Sequence, residues 1–474
     1  MAAQAMQETT EESTQEPTQV LARFAATLSY GDLPERVREH CKNLLLDALA
    51  CAVAGHRGEE TAQVAALAAA LAQGSESTVI GGGHLSLAGA TLLNGYLVTA
   101  VTMCDVHRAT MTHITPEIVP PALAIAERDG LSGRELLVAI AAGCEVATRI
   151  GIGLDYPAFR ARGFHGPGVL GPFGAAAAVG RLLAFDAETM ARAFGLAGSQ
   201  AAGTYAAWGT PTVKFHQCRG ALSGLLAALL AQQKFAATRE FLTAKDGGLY
   251  SAYSNGGTAD AATADLGKRF ELEQIALRLW PSATLVQGIN TALFDIVGKH
   301  TINALHVRKV RIALSQSAFD MHGGFAAYKA KFEALLSTHY TAAAILHDRA
   351  LTLAQFEPDR YDDPRLRKFS AEQVEVRPDP AIEGSQAQVD VEMNDGTTLS
   401  ARCRHPLGSA ENPLSRAQVE QKFRSYAADV LPDAHVEGVL KAVNRIEDFG
   451  SARKLLELLR AAPKPATRAM AAAE

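Results

Sequence analysis

The chain has 474 residues, of which 48% are hydrophobic and 20% are charged, and its formal net charge is −5. This length and composition predict a well-cored globular protein of about two to three domains. Because lysine and arginine are not in excess to neutralise phosphates, we expect no nucleic-acid partner.

The N-terminal residues and the cysteines both indicate where the protein resides. The first seventeen residues carry four glutamates and no lysine or arginine, whereas a secretory or mitochondrial presequence needs basic residues. Residues 1–20 are therefore predicted to be a disordered tail. The six cysteines lie far apart, without the spacing of a zinc or iron–sulfur site. Reduced, buried thiols and a cytoplasmic location are expected.

The first half of the chain has helical periodicity. Apolar residues between Val37 and Ala52 recur at steps of three and four. Ser132 and Glu135 form a capping box that begins another helix. The charge-free run 85–104 is long enough to span a bilayer, but its small and polar residues favour a buried core helix. We predict a large helical unit and no membrane partner.

Strand periodicity appears after about residue 300. Apolar residues alternate in 310–314, and again in 389–393 and 399–403 on either side of an Asn-Asp-Gly turn, which predicts a hairpin. A capping box at Ser415 marks the return of helices. The predicted fold is mainly α and has two domains. Residues 21–267 plus 405–474 form an all-helical core domain, and residues 268–404 form an inserted smaller α+β lid domain.

Motifs for metals and nucleotide cofactors are absent or poorly placed. The fourteen histidines include no H-E-x-x-H pattern, and there is no G-x-S-x-G motif. Residues 166–171 spell G-x-G-x-x-G, but they follow a polar, glycine-bearing stretch and not a buried strand. We expect neither a metal nor an organic cofactor.

Polar residues set in apolar, small-residue surroundings are the remaining candidates for chemistry. In chain order they are Asp105, His107, His113, His165, Lys214, His216 and Arg219. Each histidine taken alone is typical of a satisfied core or surface position. These residues fall in three short segments, 105–113, the turn at 165 and 214–219, and each segment lies beside an uncharged helix. Burial of a cation costs free energy unless an anion pairs with it. The three segments therefore favour a shared pocket for an anionic substrate.

Five segments resemble the MmgE/PrpD family, in that family's order. They are LLLDALACAVAG, TVIGGG, GFHGPGVLGPFGAAAAVGRLL, KFHQCRGALSGLLAALLA and HPLGSAENPLSRAQVEQKF. The family includes 2-methylcitrate dehydratase, cis-aconitate decarboxylase and iminodisuccinate epimerase. The resemblance implies a homodimer with its active site between a helical core and an α+β lid. It also implies a di- or tricarboxylate substrate that loses a proton next to a carboxylate, without metal or cofactor.

The resemblance assigns positions and reveals departures. His113, His165 and Lys214 match family histidines and a family lysine, whereas the family's acidic segment keeps one aspartate, Asp105, and has His107 in place of its threonine. Arg278 replaces a second lysine, and Ser282-Ala283-Thr284 replaces a Cys or His. Arginine suits carboxylate binding, but it does not donate a proton at neutral pH.

These residues support a hypothetical mechanism. Arg278, with Arg219 or Arg162, is expected to bind the carboxylates, and His216 is a further binding candidate. Lys214 is the predicted base, because burial and cationic neighbours lower the pKa of a lysine.

His113 or His165 is then expected to deliver a proton from the other side or to assist the leaving group. One base and one acid give a lyase, which is the leading prediction. Two opposed bases give an epimerase, which is the alternative. A member that binds polycarboxylates without turnover is the alternative from another class.

Overall fold

The structure is a computed structural model that describes residues 16–324 and 327–460. Its described part is mainly helical, as predicted. The helices are α1 (Pro17–Thr27), α2 (Glu35–Gly55), α3 (Thr61–Leu71), α4 (Leu87–Thr99), α5 (Thr115–Asp129), α6 (Gly133–Gly153), α7 (Tyr156–Ala161), α8 (Gly166–Leu182), α9 (Ala187–Gly198), α10 (Thr212–Gln232), α11 (Leu249–Tyr253), α12 (Ala259–Thr263), α13 (Gln287–Lys299), α14 (Gln316–His322), α15 (Lys331–Leu336), α16 (Thr338–Asp348), α17 (Pro358–Tyr361), α18 (Pro364–Glu372), α19 (Arg416–Ala427), α20 (Asp433–Asn444) and α21 (Arg453–Leu458).

The strands are short and form three separate sheets in the described residues. They are β1 (Ser77–Thr78), β2 (His84–Leu85), β3 (Val106–His107), β4 (Ile275–Ala276), β5 (Val307–Leu314), β6 (Val374–Pro378), β7 (Ala387–Met393) and β8 (Thr398–Cys403). The largest sheet has the order β6-β5-β7-β8, with β5 and β6 parallel and the other pairs antiparallel. The predicted hairpin is confirmed as β7 and β8.

The predicted tail is wrong at its C-terminal end. Residues 1–15 lie outside the described residues, but Pro17 begins α1, and Leu21, Ala22 and Ala25 of that helix are buried. A proline in the first turn suits a helix start, and the Glu16 side chain accepts a hydrogen bond from the backbone of Gln19. Burial of this apolar face orders residues that composition alone assigned to a tail.

Buried apolar residues form two clusters. The core cluster draws on residues 21–277 and 414–459, with Leu353. The sheet cluster draws on residues 280–403, with Val213. Helices α13 and α16 cover the four-stranded sheet, so Val389 and Val391 face them while the alternate residues are less buried.

One boundary of the predicted units differs from this packing. Phe270, Leu272, Ile275 and Leu277 belong to the core cluster, although they were assigned to the smaller unit. The reason is the antiparallel pairing of β4 with β3, which ties this stretch to the helical core. At the other end, α19 packs on α2, as expected for a C-terminal segment that returns to the core. The lid role of the smaller unit stays a prediction.

Within the described ranges, α6 alone is long and apolar enough to cross a membrane. Its 21 residues include a window that is 94% buried inside the protein. The Ser132–Glu135 capping box begins this helix as predicted, and all six cysteines of the chain are buried and free. Helix α4, from the charge-free run 85–104, is shorter and is buried along most of its length.

Helices α5, α8 and α10 pack closely around the carboxyl group of Glu117. A Cβ atom placed at Gly171 would lie 2.4 Å from Cγ of Glu117, so a side chain at that position would clash. Both carboxyl oxygens of Glu117 are buried without a hydrogen-bond partner among the described residues. Burial raises the pKa of Glu117 well above its ordinary value, with Asp105 a second cause.

We expect Glu117→Met to stabilise the protein by about 1–3 kcal/mol at pH 8, because it removes a buried polar group that lacks a partner. Between an unfolded pKa near 4.5 and the higher folded pKa, the folded state keeps a proton that the unfolded state releases, so wild-type stability falls as pH rises. Urea unfolding at pH 5 and pH 8 should show a shallower fall in the variant.

The matched control is Glu145→Met. Glu145 accepts hydrogen bonds from Arg149 Nε at 2.7 Å and from the backbone of Leu272 at 2.6 Å. Its removal should therefore destabilise the fold. A destabilised Glu117→Met, or an unchanged pH slope, would contradict the proposed cost of that buried carboxyl group.

Candidate active site

A cavity lies between the core cluster and the sheet cluster. Residues from both clusters line it, so the site exists only where the two units meet. The lining residues are Thr99, Thr102, Val106, Met111, His113, His165, Tyr205, Trp208, Val213, Lys214, Gln217, Arg278, Ala283, Thr284, Leu285, Met321, His322, Phe332 and Leu336.

The chain between α4 and α5 forms one wall of the cavity under local backbone strain. Thr102 and Met111 have positive φ angles of 55° and 44°. This region is costly for side chains other than glycine, and more so for a β-branched threonine. The two residues bracket β3 and both line the cavity. Two of the six non-glycine residues with positive φ in the described part of the chain therefore lie in the segment that shapes the site.

His113 follows this segment and has a fixed tautomer. Its Nδ1 lies 2.7 Å from the backbone carbonyl of Asp105, so Nδ1 donates and Nε2 carries the lone pair. Burial lowers the pKa of His113 to about 3, with the charge of Arg278 a second cause. His113 is thus a neutral imidazole at the cavity.

His165 precedes α8 and pairs with His216. The two Nδ1 atoms are 3.0 Å apart, so one donates and the other accepts. Burial lowers the pKa of His165 well below its ordinary value, and the neighbouring His216 adds to this. His165 lines the cavity, whereas His216 is half-buried and is not among the lining residues.

Lys214, near the start of α10, brings an ammonium group to the cavity. Nζ lies 3.3 Å from Oε2 of Glu60 and 4.8 Å from the ring centre of Phe332. Burial lowers the pKa of Lys214, and the charge of Glu60 opposes this. Glu60 also accepts a hydrogen bond from Tyr96. The side chain is therefore a buried cation whose anionic partner is outside the lining.

The β3–β4 ladder places Arg278 in the cavity wall. Val106 pairs with Ala276, and the same antiparallel register brings residue 278 opposite residue 104. Accordingly, Nε of Arg278 donates to the carbonyl of Cys104, and Nη2 lies 3.5 Å from its Sγ. Nη1 donates to the carbonyl of Ser282 at 3.0 Å. In the part of the chain that the structure describes, three of the five guanidinium N–H groups have partners, which leaves two for a ligand.

A buried ion pair supports this wall from behind. Nζ of Lys422, on α19, lies 2.6 Å from Oδ1 of Asp47, on α2, and both side chains are fully buried. Nζ also donates to the carbonyls of Arg278 at 2.7 Å and Met103 at 3.1 Å. Burial raises the pKa of Asp47, and the charge of Lys422 counters it. The pair thus fixes the backbone at Met103 and at Arg278, in the two segments that form this wall of the cavity.

Two further predicted residues, Asp105 and His107, bind neighbouring protein groups and do not line the cavity. Asp105 accepts hydrogen bonds from the backbone of Ile114 and Thr115 at 3.0 Å, next to the start of α5. Burial raises the pKa of Asp105 to about 6. His107 lies between Thr110 Oγ1 at 2.8 Å and Glu271 Oε1 at 3.2 Å. Neither side chain is among the cavity-lining residues, so the structure does not place these two predicted residues at the cavity.

The two arginines predicted to assist Arg278 are also elsewhere. Arg219 donates to the backbone carbonyls of Gln200, Gly168 and Ala202. Arg162 donates to the carbonyl of Ala252 at 3.1 Å, outside the cavity lining. The structure therefore places neither of the two arginines predicted to act with Arg278 among the cavity-lining residues. Arg278 is the arginine among the lining residues.

Sequence reasoning missed residues that the fold brings to the cavity. Gln217 lies three residues after Lys214 on α10, and this spacing on one helix face was a usable signal. His322 ends α14 in the sheet cluster, and no local pattern marked it. Its Nδ1 donates to the carbonyl of Leu336 at 3.0 Å, and burial lowers the pKa of His322 to about 4.

The lining residues include two cations, Lys214 and Arg278, and no aspartate or glutamate. The three histidines are neutral, because burial lowers their pKa values. In the described part of the chain, no group of three or more His, Cys, Asp or Glu side chains is arranged to hold a metal ion. The cavity therefore suits an anion bound by direct contact with side chains.

This fold and site define a family of proteins, and the chain belongs to the MmgE/PrpD family. Residues 19–262 match the MmgE/PrpD N-terminal domain and residues 280–448 match the MmgE/PrpD C-terminal domain. The second match extends over α19, which nevertheless packs on the core cluster.

Two relatives are similar over nearly their whole length. Cis-aconitate decarboxylase from Aspergillus terreus is 26% identical over 469 residues, which cover 93% of this chain and 95% of that protein. Cis-aconitate decarboxylase from Homo sapiens is 26% identical over 466 residues, which cover 94% of this chain and 95% of that protein.

Proposed function

We propose that this protein is a cofactor-independent lyase that acts at a carbon atom next to a carboxylate group, on a di- or tricarboxylate. The observation that carries the proposal is the cavity between the two clusters, where Lys214 and Arg278 meet neutral histidines and no acidic side chain lines the wall. The similarity to proteins named cis-aconitate decarboxylase supports loss of carbon dioxide as the leading reaction.

Arg278 is the proposed carboxylate-binding group. Its three bonds to Cys104 and Ser282 fix the guanidinium plane and leave two N–H groups available. A guanidinium matches the two oxygens of a carboxylate in a fixed geometry. Because its own bonds hold it in place, little side-chain entropy is lost when the substrate binds.

Lys214 is the proposed proton-transfer group. When carbon dioxide leaves, the electron pair of the broken carbon–carbon bond stays on carbon, and the Lys214 ammonium supplies the proton that it takes up. Burial lowers the lysine pKa and makes the ammonium a stronger acid than an exposed lysine, while Glu60 keeps it charged. In a dehydration the neutral amine would instead remove the proton next to the carboxylate.

His113 and His165 are proposed to respond to the charge of the substrate. Nε2 of His113 is an acceptor for a substrate hydroxyl group. A carboxylate placed beside either imidazole raises the pKa of that imidazole and favours its protonation. These histidines therefore stabilise negative charge that develops during the reaction.

Proton NMR in D₂O tests the proposal with cis-aconitate, 2-methylcitrate, citrate and iminodisuccinate. Loss of a carboxyl carbon with a new vinyl or methylene signal is the expected result. A new vinyl signal with loss of water would identify a dehydratase. Deuterium at the carbon next to the carboxylate, with only diastereomers changing, would identify the epimerase. Saturable binding without turnover would support the non-catalytic member and contradict the lyase.

A further inference from the structure

Lys214 changes its protonation state in each turnover of the proposed reaction. When carbon dioxide leaves, the ammonium gives a proton to the substrate carbon and becomes a neutral amine. Nζ must then gain a proton before the next turnover. In a dehydration the amine instead gains a proton and must lose it. Either reaction therefore needs a path for protons between Nζ and the solvent.

The cavity is a poor path for this exchange. The Lys214 side chain is 5% exposed, and the ring centre of Phe332 lies 4.8 Å from Nζ. When substrate or product fills the cavity, it also excludes water from that side of the ammonium. The exchange therefore needs a group that reaches Nζ from outside the cavity.

Glu60 contacts Lys214 and is not among the lining residues. It directly precedes α3, and its Oε2 lies 3.3 Å from Nζ. The Glu60 side chain is 22% exposed, against 5% for the lysine. Within the described ranges, it is the one carboxyl group within 4 Å of Nζ. A single carboxyl group thus joins the buried ammonium to the protein surface.

The two carboxyl oxygens of Glu60 have different surroundings. Oε2 accepts hydrogen bonds from the hydroxyl group of Tyr96, at 2.8 Å, and from Lys214. Tyr96 is buried on α4, and burial raises the pKa of its hydroxyl group, which therefore stays a donor. Oε1 accepts no hydrogen bond from the described residues and is not fully buried, so water reaches it. The carboxyl group is thus held at one oxygen and open to solvent at the other.

We propose that Glu60 is the proton relay of Lys214. Oε1 takes a proton from the solvent, and a half-turn of the carboxyl group brings that proton to the neutral amine. Glu60 is then a carboxylate again, so each carbon dioxide released consumes one proton from the solvent. In a dehydration the same steps run in reverse. The proposal rests on the proposed function, because it concerns the proton that this reaction uses.

Glu60→Gln tests the relay in rapid-quench kinetics with cis-aconitate, or with the acid of the panel that is turned over fastest. Glutamine keeps the size of the side chain and an acceptor for Tyr96, but it has no carboxyl group to carry a proton. The first turnover should stay within about threefold of wild type, and later turnovers should slow by about tenfold or more. The expected trace is a burst of one product molecule per active site.

Chemical rescue distinguishes a relay from a structural role. Glu60→Ala opens space beside Nζ for a small acid from the buffer. Added imidazole, at constant pH and ionic strength, should raise the steady-state turnover of this variant by about fivefold or more, because imidazolium delivers the proton in place of Glu60. Wild-type turnover should change by less than about twofold. A structural loss would not respond to a proton donor.

Glu59→Gln is the matched control. Glu59 is exposed and its charge also favours the protonated form of Lys214, but it forms no ion pair with Nζ. Turnover should stay within about threefold of wild type, without a burst. Equal losses in the two glutamine variants, or a loss in Glu60→Ala that imidazole does not restore, would overturn the relay and leave the lyase standing. Wild-type protein that turns over no acid of the panel would overturn both.

Discussion

Replacement of Lys214 by methionine is expected to lower the turnover number by about a hundredfold or more. Methionine keeps much of the side-chain volume on α10 but has no proton to transfer. The affinity for a dicarboxylate should also fall, because one of the two cations that line the cavity is lost. Steady-state kinetics with the best substrate of the panel gives both quantities.

Lys214→Arg distinguishes proton transfer from charge. Arginine keeps the cation beside Glu60 but does not release a proton at neutral pH. We expect substrate binding within about tenfold of wild type and turnover as low as in Lys214→Met. Lys299→Met removes an exposed lysine far from the lining, on α13, and should leave turnover unchanged. Near-normal turnover of Lys214→Arg would contradict the assignment of this lysine to proton transfer.

Lys422→Met is expected to lower the free energy of unfolding by about 3–5 kcal/mol. The substitution leaves Asp47 as a buried carboxyl group without its cation, and two backbone carbonyls lose their donor. Urea unfolding at neutral pH measures the loss. The exposed pair of Lys299 and Asp295 is the control, and its removal should cost less than about 1 kcal/mol.

The double variant Asp47→Leu/Lys422→Met separates stability from positioning. Replacing both charges by apolar groups should restore most of the free energy of unfolding. Turnover should stay reduced, because the carbonyls of Arg278 and Met103 still lack the ammonium that fixes the cavity wall. If turnover recovers together with stability, Lys422 has no positioning role.

The sequence predicted the elements whose signals are local. Capping boxes and apolar periodicity predicted α2 and α6, and the Asn-Asp-Gly turn predicted the hairpin of β7 and β8. Pro17 was a local signal for the start of α1 as well. The low hydrophobicity of the residues before it nevertheless led to the prediction of a disordered tail. The mainly helical fold follows from these local patterns.

The site was harder to predict, because polar residues near one another in sequence need not face the same way. Lys214 and Arg219 belong to the same stretch of α10, but five residues of helix rotate the side chain by about 140°, and Arg219 ends among backbone carbonyls. Asp105 and His113 are eight residues apart, but only His113 lines the cavity. The turns between them direct the carboxylate of Asp105 to the backbone amide groups of Ile114 and Thr115. His322 reaches the cavity only through packing of distant elements.

The pair of Lys422 and Asp47 joins residues that are 375 positions apart in sequence. A growing polypeptide therefore completes α2 long before α19 has left the ribosome. Until then Asp47 has no cation, and the segments that carry Met103 and Arg278 lack the donor that fixes them. The cavity is thus among the last parts of the molecule to assemble, and nascent chains that end before residue 414 are expected not to bind the proposed substrate and to depend on chaperones.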